Sequence, residues 1–243
     1  MEESVLMIRL DKYLADMGIG TRTEVKKFIR SGRIQIDGRT ERKPEAKVDT
    51  SSQQITFDNT PVVYQEYEYY MLHKPAGVVS ATTDKKEKTV LDLLTVQKRK
   101  DLFPVGRLDK DTEGLLLITN DGVLAHRLLA PGQHVDKVYF ARVEGTVTEA
   151  DVLAFSQGLD IGDPELTLPA KLEIQSSDTI SEILLTIQEG RFHQVKRMME
   201  AVGKKVIYLK RISMGSLTLP EDLPKGKARE LTKEELAVLK EGK

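Results

Sequence analysis

The chain has 243 residues, 40% hydrophobic and 31% charged, with 17 Gly, 9 Pro and no Cys. That length and apolar content fit one large domain or two unequal ones and exclude a disordered or fibrous chain, while the missing thiols exclude disulfides, thiolate metal sites and cysteine nucleophiles. The net charge of −1 averages over segregated segments, since 7–43 and 189–211 each carry +5 and the remainder carries −11. Two basic segments on an acidic body suit a polyanion, although solvated helix faces give the same count. The start of the chain has no signal-peptide core and no apolar run approaches the length of a membrane span, so the expectation is a cytoplasmic protein without a membrane partner.

Leu10, Tyr13, Leu14 and Met17 follow helical spacing and predict a helix over 9–17, ended by Gly18 and Gly20. Thr21-Arg22-Thr23-Glu24 is a capping box opening a second helix, whose apolar face is Val25, Phe28 and Ile29. Residues 33–36 alternate like a half-buried strand and stop at the turn pair Asp37-Gly38; a further strand covers 55–57. The polar stretch 59–66, with Pro61, reads as a linker between a head of 1–58 and a body of 67–243.

In the body, 67–73 reads as a strand leading into Lys74-Pro75-Ala76-Gly77, and Thr89 caps a short helix to Leu94. The run Lys98-Arg99-Lys100 reads as a solvated basic loop able to touch phosphates. Residues 115–118 form a buried strand closed by Asn120-Asp121-Gly122, 123–130 a helix, 138–143 a strand, and 148–155 a capped helix. Strands at 172–174, 183–187 and 206–209, a basic helix over 193–202, and a capping box at Thr232-Lys233-Glu234-Glu235 complete the pass. Strands and helices without a regular βαβ period predict an α+β fold.

Arg22, Lys26, Lys27 and Arg30 on the second helix, with Arg9 and Arg33 beside them, predict a compact basic surface. The segments Ile8-Arg9-Leu10-Asp11-Lys12-Tyr13-Leu14, Thr21 to Glu24, and Ile29 to Gly38 together resemble an S4 RNA-binding domain. A helical hairpin and a strand can line cations along phosphates without reading bases.

The stretch from Gly106 to Gly122, with Arg107-Leu108-Asp109 and Leu115-Leu116-Leu117-Ile118, is on its own a loop of alternating charge followed by a strand. Its acids lack the glycine and distal glutamate of a calcium loop, and no two of the four histidines have zinc spacing, so no metal is expected. As a motif it closely resembles the signature of the ribosomal pseudouridine synthases. Tyr69 to Val79, Lys137-Val138-Tyr139, and Glu189-Gly190-Arg191-Phe192-His193-Gln194-Val195-Lys196-Arg197-Met198 resemble that family's other motifs, in order along the chain. The resemblance implies a mostly antiparallel or mixed sheet with a central cleft, Asp109 as catalytic carboxylate, Lys196 as its cationic partner with Arg197 in reserve, and Tyr139 as the active-site tyrosine. It also implies RNA contacts from Arg107, Arg191, His193, Gln194 and Arg197.

Forming pseudouridine breaks an N–C glycosidic bond, turns the base, and rejoins it through carbon, with no redox change and no group donor. No cofactor is therefore expected, and the chain has no Gly-rich dinucleotide loop. A carboxylate suits work at the sugar–base bond, and a nearby cation keeps it ionised in a shielded cleft. The residues leave open whether Asp109 attacks the sugar or abstracts a proton. A uridine in folded RNA must first be flipped out. Arg107 can occupy the vacated space or simply bridge to Asp111 or Glu113, and His193 can be a satisfied core histidine.

The His-Gln-Val-Lys-Arg-Met version of the last motif resembles the small-subunit branch of the family, implying a 16S rRNA substrate met in an assembly intermediate by a monomeric enzyme. The alternatives are a 23S rRNA synthase of the same family and a non-catalytic RNA-binding assembly factor.

Overall fold

The computed structural model describes residues 7–95 and 99–242, which fall into two compact units. The first runs to Glu68 and includes the return of the chain before Phe103; the second comprises Tyr69–Thr95 and the chain from Phe103 onward.

In the first unit, β1 (Met7–Arg9) pairs antiparallel with β4 (Lys47–Asp49). Helices α1 (Leu10–Asp16) and α2 (Arg22–Arg30) pack beside a four-stranded sheet of order β3-β2-β5-β6, formed by β2 (Ile34–Ile36), β3 (Arg39–Glu41), β5 (Ile55–Phe57) and β6 (Thr60–Pro61). The capping box that predicts α2 is present, with Thr21 accepting from the Glu24 amide and Glu24 accepting from that of Thr21. Leu10, Tyr13, Leu14, Val25, Ile29, Ile34, Val48 and Ile55 close the core.

The segment 59–66, read as linker, is partly sheet. Asp58 and Asn59 both have positive φ and make a tight two-residue hairpin turn, as Asp37 and Gly38 do between β2 and β3. The chain then stays packed, with the Tyr13 hydroxyl donating to the Val62 carbonyl at 2.5 Å and the Tyr64 ring lying 5.1 Å from that of Tyr13. Arg99 is not a solvated phosphate contact either. Its side chain is 5% exposed, bridges Asp16 and Asp101, and lies over Tyr64. Lys98, its neighbour in the basic run, lies outside the described residues.

The second unit is built on a nine-stranded sheet whose main path is β11-β12-β10-β13-β9-β7-β15. Its strands are β7 (Tyr69–Lys74), β8 (Phe103–Pro104), β9 (Glu113–Thr119), β10 (Lys137–Glu144), β11 (Lys171–Ser176), β12 (Ile180–Ile187), β13 (Lys205–Met214), β14 (Leu217–Thr218) and β15 (Ala228–Glu230), with β8 on β9 and β14 on β13 at the side. All of these pairings are antiparallel except β13–β9, where Lys210 and Arg211 meet Glu113 and Gly114. Gly114, at φ +112°, is obligatory there, because a Cβ would stand 2.1 Å from the Arg211 carbonyl oxygen. Helices α3 (Gly122–Leu129), α4 (Glu149–Gln157), α5 (Gln194–Ala201) and α6 (Lys233–Glu241) complete the unit. Leu124, Ala125 and Leu128 of α3 and Leu239 of α6 pack with Tyr69, Met71, Leu115 and Leu117 of the sheet. The helix predicted from Thr89 is one 3-10 turn, Leu91–Leu93, held by Asp92 accepting from Thr89. The strand predicted over 206–209 runs on to Met214. The fold is α+β with a mixed, mostly antiparallel sheet, as expected.

Candidate active site

Asp109 sits in the loop between β8 and β9, a loop fastened along its length. Thr112 N donates to the Asp109 carbonyl at 3.1 Å, Gly77 N to the Lys110 carbonyl at 2.7 Å, and Ser80 Oγ to the Leu108 carbonyl at 2.8 Å. The central fastener is Lys74, fully buried at the end of β7. Its ammonium stands 2.9 Å from the Asp109 carbonyl, 2.8 Å from that of Thr112, and 3.3 and 3.1 Å from those of Lys110 and Pro75. Burial pushes the Lys74 pKa down to about 8, against the pull of Asp111, Asp109 and Glu113. The clasping role of Lys74 escapes sequence reasoning because its partners are backbone oxygens, although the residue lies within the Tyr69–Val79 motif.

Helix α5 brings the opposite wall. Lys196, in its first turn, places Nζ 3.0 Å from Asp109 Oδ2 and 2.7 Å from Asp111 Oδ1. Burial opposes the charge on Lys196, but hydrogen bonds to Asp111 and Asp109 outweigh it and raise the lysine pKa, while the hydrogen bond from Lys196 lowers that of Asp111. His193, just before α5 in the left-handed region at φ 49°, has Nε2 3.6 Å from Asp109 Oδ1. Its side chain is 42% exposed, so it is a rim residue rather than a core histidine. Tyr139 on β10 is buried and lines the same cleft, together with Leu108, Thr112, Ile187, Val195 and Leu209. The cleft therefore has an apolar floor, one aromatic ring, and a carboxylate held beside a cation. Among the described residues, no group of three or more acids and histidines is arranged to hold a metal.

The other predicted residues divide. Arg107 is exposed at the cleft, and among the described residues it makes no ion pair. The acids it was weighed against are taken, Asp111 by Lys196 and Glu113 by Lys225 and the Tyr208 hydroxyl. Arg191, Gln194 and Arg197 turn into the protein. Arg191 donates to the Glu165 and Leu166 carbonyls and to Glu189. Gln194, 4% exposed, donates to Glu189 and accepts from Arg191 N. Arg197 pairs with Asp163 and donates to the Ile161 carbonyl, so the reserve partner for Asp109 is committed elsewhere. In this structure these three are engaged by Glu189, by Asp163 and by the backbone carbonyls of 161, 165 and 166, which frame the loop before α5.

In the first unit, the buried Asp11 carboxylate gathers Arg9 at 2.9 Å, Arg22 at 3.4 Å and Lys26 at 3.9 Å. The Arg9 hydrogen bond, with Arg22 adding, holds its carboxyl below the usual range. Lys27 and Arg30 are exposed. Arg33 is held by Asp58 at 2.9 Å and lies over the Phe28 and Phe57 rings. The first unit thus presents the basic surface its sequence predicts, with Arg33 partly neutralised.

Known proteins resemble the chain over nearly its whole length. Residues 68–201 match the model of the RNA pseudouridylate synthase family, and residues 8–54 match the S4 domain. The chain belongs to the RNA pseudouridylate synthase family. A relative from Bacillus subtilis, named an uncharacterized RNA pseudouridine synthase, is 48% identical over 236 residues, covering 96% of this chain and 99% of its own. Ribosomal small subunit pseudouridine synthase A of Vibrio cholerae is 40% identical, covering 95% and 98%, and that of Escherichia coli (strain K12) 38%, covering 95% and 99%. A crystal structure of a pseudouridylate synthase superposes with a TM-score of 0.67 at 36% identity, over 96% of this chain and 99% of that one. The synthase has no helix among its described residues that is long and apolar enough to cross a membrane.

Proposed function

We propose that this synthase converts a uridine of 16S rRNA to pseudouridine, with Asp109 as the catalytic carboxylate, Lys196 as its cationic partner and Tyr139 against the target base. The observation that carries the reading is the 3.0 Å contact between Lys196 and Asp109 in a cleft lined by Tyr139. The substrate branch is supported by relatives named small-subunit synthases that align over nearly the whole chain.

The flipped uridine enters with its C1′ toward Asp109 and its ring against Tyr139. The N1–C1′ bond breaks, the detached base turns, and a C5–C1′ bond forms; the C5 proton leaves and N1 gains one, so the product is an isomer. The Lys196 ammonium lies 3.0 Å from the Asp109 carboxylate and orients it in the partly shielded cleft. The first unit supplies phosphate contacts through Arg9, Arg22, Lys26, Lys27 and Arg30. The enzyme acts in the cytoplasm as a monomer, on a small-subunit assembly intermediate in which the uridine is still reachable.

The decisive experiment maps pseudouridines in rRNA from a strain lacking the protein, complemented with wild type or with Asp109→Asn. One 16S site should vanish and return only with wild type. Loss of a 23S site instead would transfer the reading to the large subunit, and loss of none would favour a non-catalytic RNA-binding factor.

A further inference from the structure

Phe192 has an unusual placement for a large apolar side chain. It is 72% exposed, in the loop that carries Asp109's neighbours from β12 into α5. It is also not loose. Its ring stacks on the His193 imidazole with centroids 3.7 Å apart and planes inclined by 20°. The Phe192 carbonyl accepts from Arg197 Nη1 at 3.1 Å, and Arg197 is itself anchored on Asp163 and Ile161. On the other side of the loop, Arg191 N donates to Gln194 Oε1 at 2.9 Å. One face of the benzyl ring is covered by His193; at this exposure the other is open to solvent.

An exposed phenyl ring forgoes the favourable free energy of burial, and here it is held stiffly in that unfavourable state. A rigid aromatic ring with one open face is what stacks on a nucleobase, because every base has a π-face and little side-chain entropy is lost. Location fixes which base is meant. His193 bridges the two rings of contact, with Phe192 on its face and Asp109 3.6 Å from its Nε2. The imidazole of His193 thus contacts both the Phe192 ring and the carboxylate, which places the open face of Phe192 at the rim of the cleft.

We propose that Phe192 is a stacking platform for the RNA base adjacent to the target uridine, holding the strand open while the uridine occupies the cleft. The inference rests on the RNA-modifying reading and adds a residue that base-flipping arguments from sequence assign to Arg107. Flipping a base sacrifices its stacking, and a protein ring restacking the neighbour returns part of what is lost.

The test uses the full-length enzyme with a structured rRNA fragment containing the target, and the same fragment with the two flanking bases replaced by abasic residues. Phe192→Ala should lower kcat/KM on the intact fragment by about fivefold to hundredfold, the range expected for one aromatic–base stack. Phe192→Trp should match wild type, and Phe192→Leu, apolar but without a π-face, should recover only part. On the abasic-flanked fragment the Phe192→Ala defect should vanish, since there is no base left to stack. A wild-type rate for Phe192→Ala on intact RNA would overturn the proposal, and so would an equal defect on both fragments, which would mean the ring supports the protein. A readout free of turnover separates this from the catalytic reading. With 2-aminopurine beside the target uridine, Asp109→Asn protein should quench its fluorescence, and Asp109→Asn/Phe192→Ala should not. Quenching by both would remove Phe192 from RNA contact even if the enzyme is active; quenching by the first alone would sustain the platform even if turnover fails.

Discussion

Lys196 Nζ lies 3.0 Å from Asp109 Oδ2, and the same ammonium lies 2.7 Å from Asp111 Oδ1. One cation is thus divided between the Asp109 carboxylate, proposed as catalytic, and a second acid two residues along. The pair is only partly shielded, at 21% and 26% side-chain exposure, so its energy lies between that of a surface bridge and a buried one. The two hydrogen bonds raise the Lys196 pKa, and the one to Asp111 lowers the pKa of that acid.

Lys196→Met removes the cation and keeps much of the volume. Without it Asp109 loses the contact that orients its carboxylate, and Asp111 loses the hydrogen bond that holds its carboxyl below the usual range. Turnover at neutral pH should fall by about fivefold to thirtyfold, corresponding to about 1–2 kcal/mol for a partly exposed pair, with RNA affinity nearly unchanged. Unchanged single-turnover rates with weakened binding would make Lys196 a phosphate contact.

Asp111→Asn acts on the other end of the shared cation. It removes a carboxylate that raises the Lys196 pKa, so that pKa falls and the alkaline limb of the single-turnover rate against pH moves to lower pH. A pH series on this variant decides it; an unmoved alkaline limb would show that Lys196 does not act through its charge.

Asp109→Asn should reduce tritium release from C5-labelled RNA by about ten-thousandfold, as removal of a central catalytic group does. Electrophoretic binding to the same RNA should stay within about twofold of wild type, since phosphate contacts supply most of the affinity. Appreciable turnover would displace Asp109 from its role.

In the first unit, Lys27 and Arg30 are exposed, whereas Arg9, Arg22 and Lys26 share Asp11. Lys27→Ala/Arg30→Ala should flatten the slope of log affinity against log salt by roughly 1.4 to 1.8, two phosphate contacts' worth of released counterions. The melting temperature should hardly move, as expected for exposed substitutions. An unchanged slope would place the RNA on another face.

Much of this arrangement is legible in the sequence, and the gaps have a common cause. The α2 capping box and the Asp37-Gly38 turn are local, and both appear where their spacing puts them. Asp109, Tyr139 and Lys196 come together as the motif resemblance implies. The failures are groups whose partners lie far along the chain or on the backbone. Asp163 engages Arg197 from 34 residues away, and no local spacing in the sequence announces that brace. Asp58-Asn59 reads as linker because a polar turn and a polar tether have the same composition. Phe192 looks like one more apolar residue in a motif until its exposure is known.

Gly114→Ala should be among the most damaging small substitutions available. The added methyl meets the Arg211 carbonyl oxygen at 2.1 Å at a φ that alanine resists, so either strand must move. A loss of about 2–4 kcal/mol is expected from strain and overpacking, read as a fall in melting temperature with activity lost in proportion. A variant with wild-type melting would show that the β9–β13 junction can open freely.

Between that junction and the Lys74 clasp, the segment carrying Asp109 has no slack. Asp109 and Thr112 are gripped by one ammonium through their carbonyls, and two residues after Thr112 the chain is pinned against Arg211. A residue inserted or deleted between Asp109 and Gly114 cannot be absorbed by the turn. It would rotate the carboxylate off Lys196 while leaving every functional side chain in the sequence. The spacing is therefore as much a part of the catalyst as the residues, and in this protein it is measured out by backbone oxygens on a buried lysine.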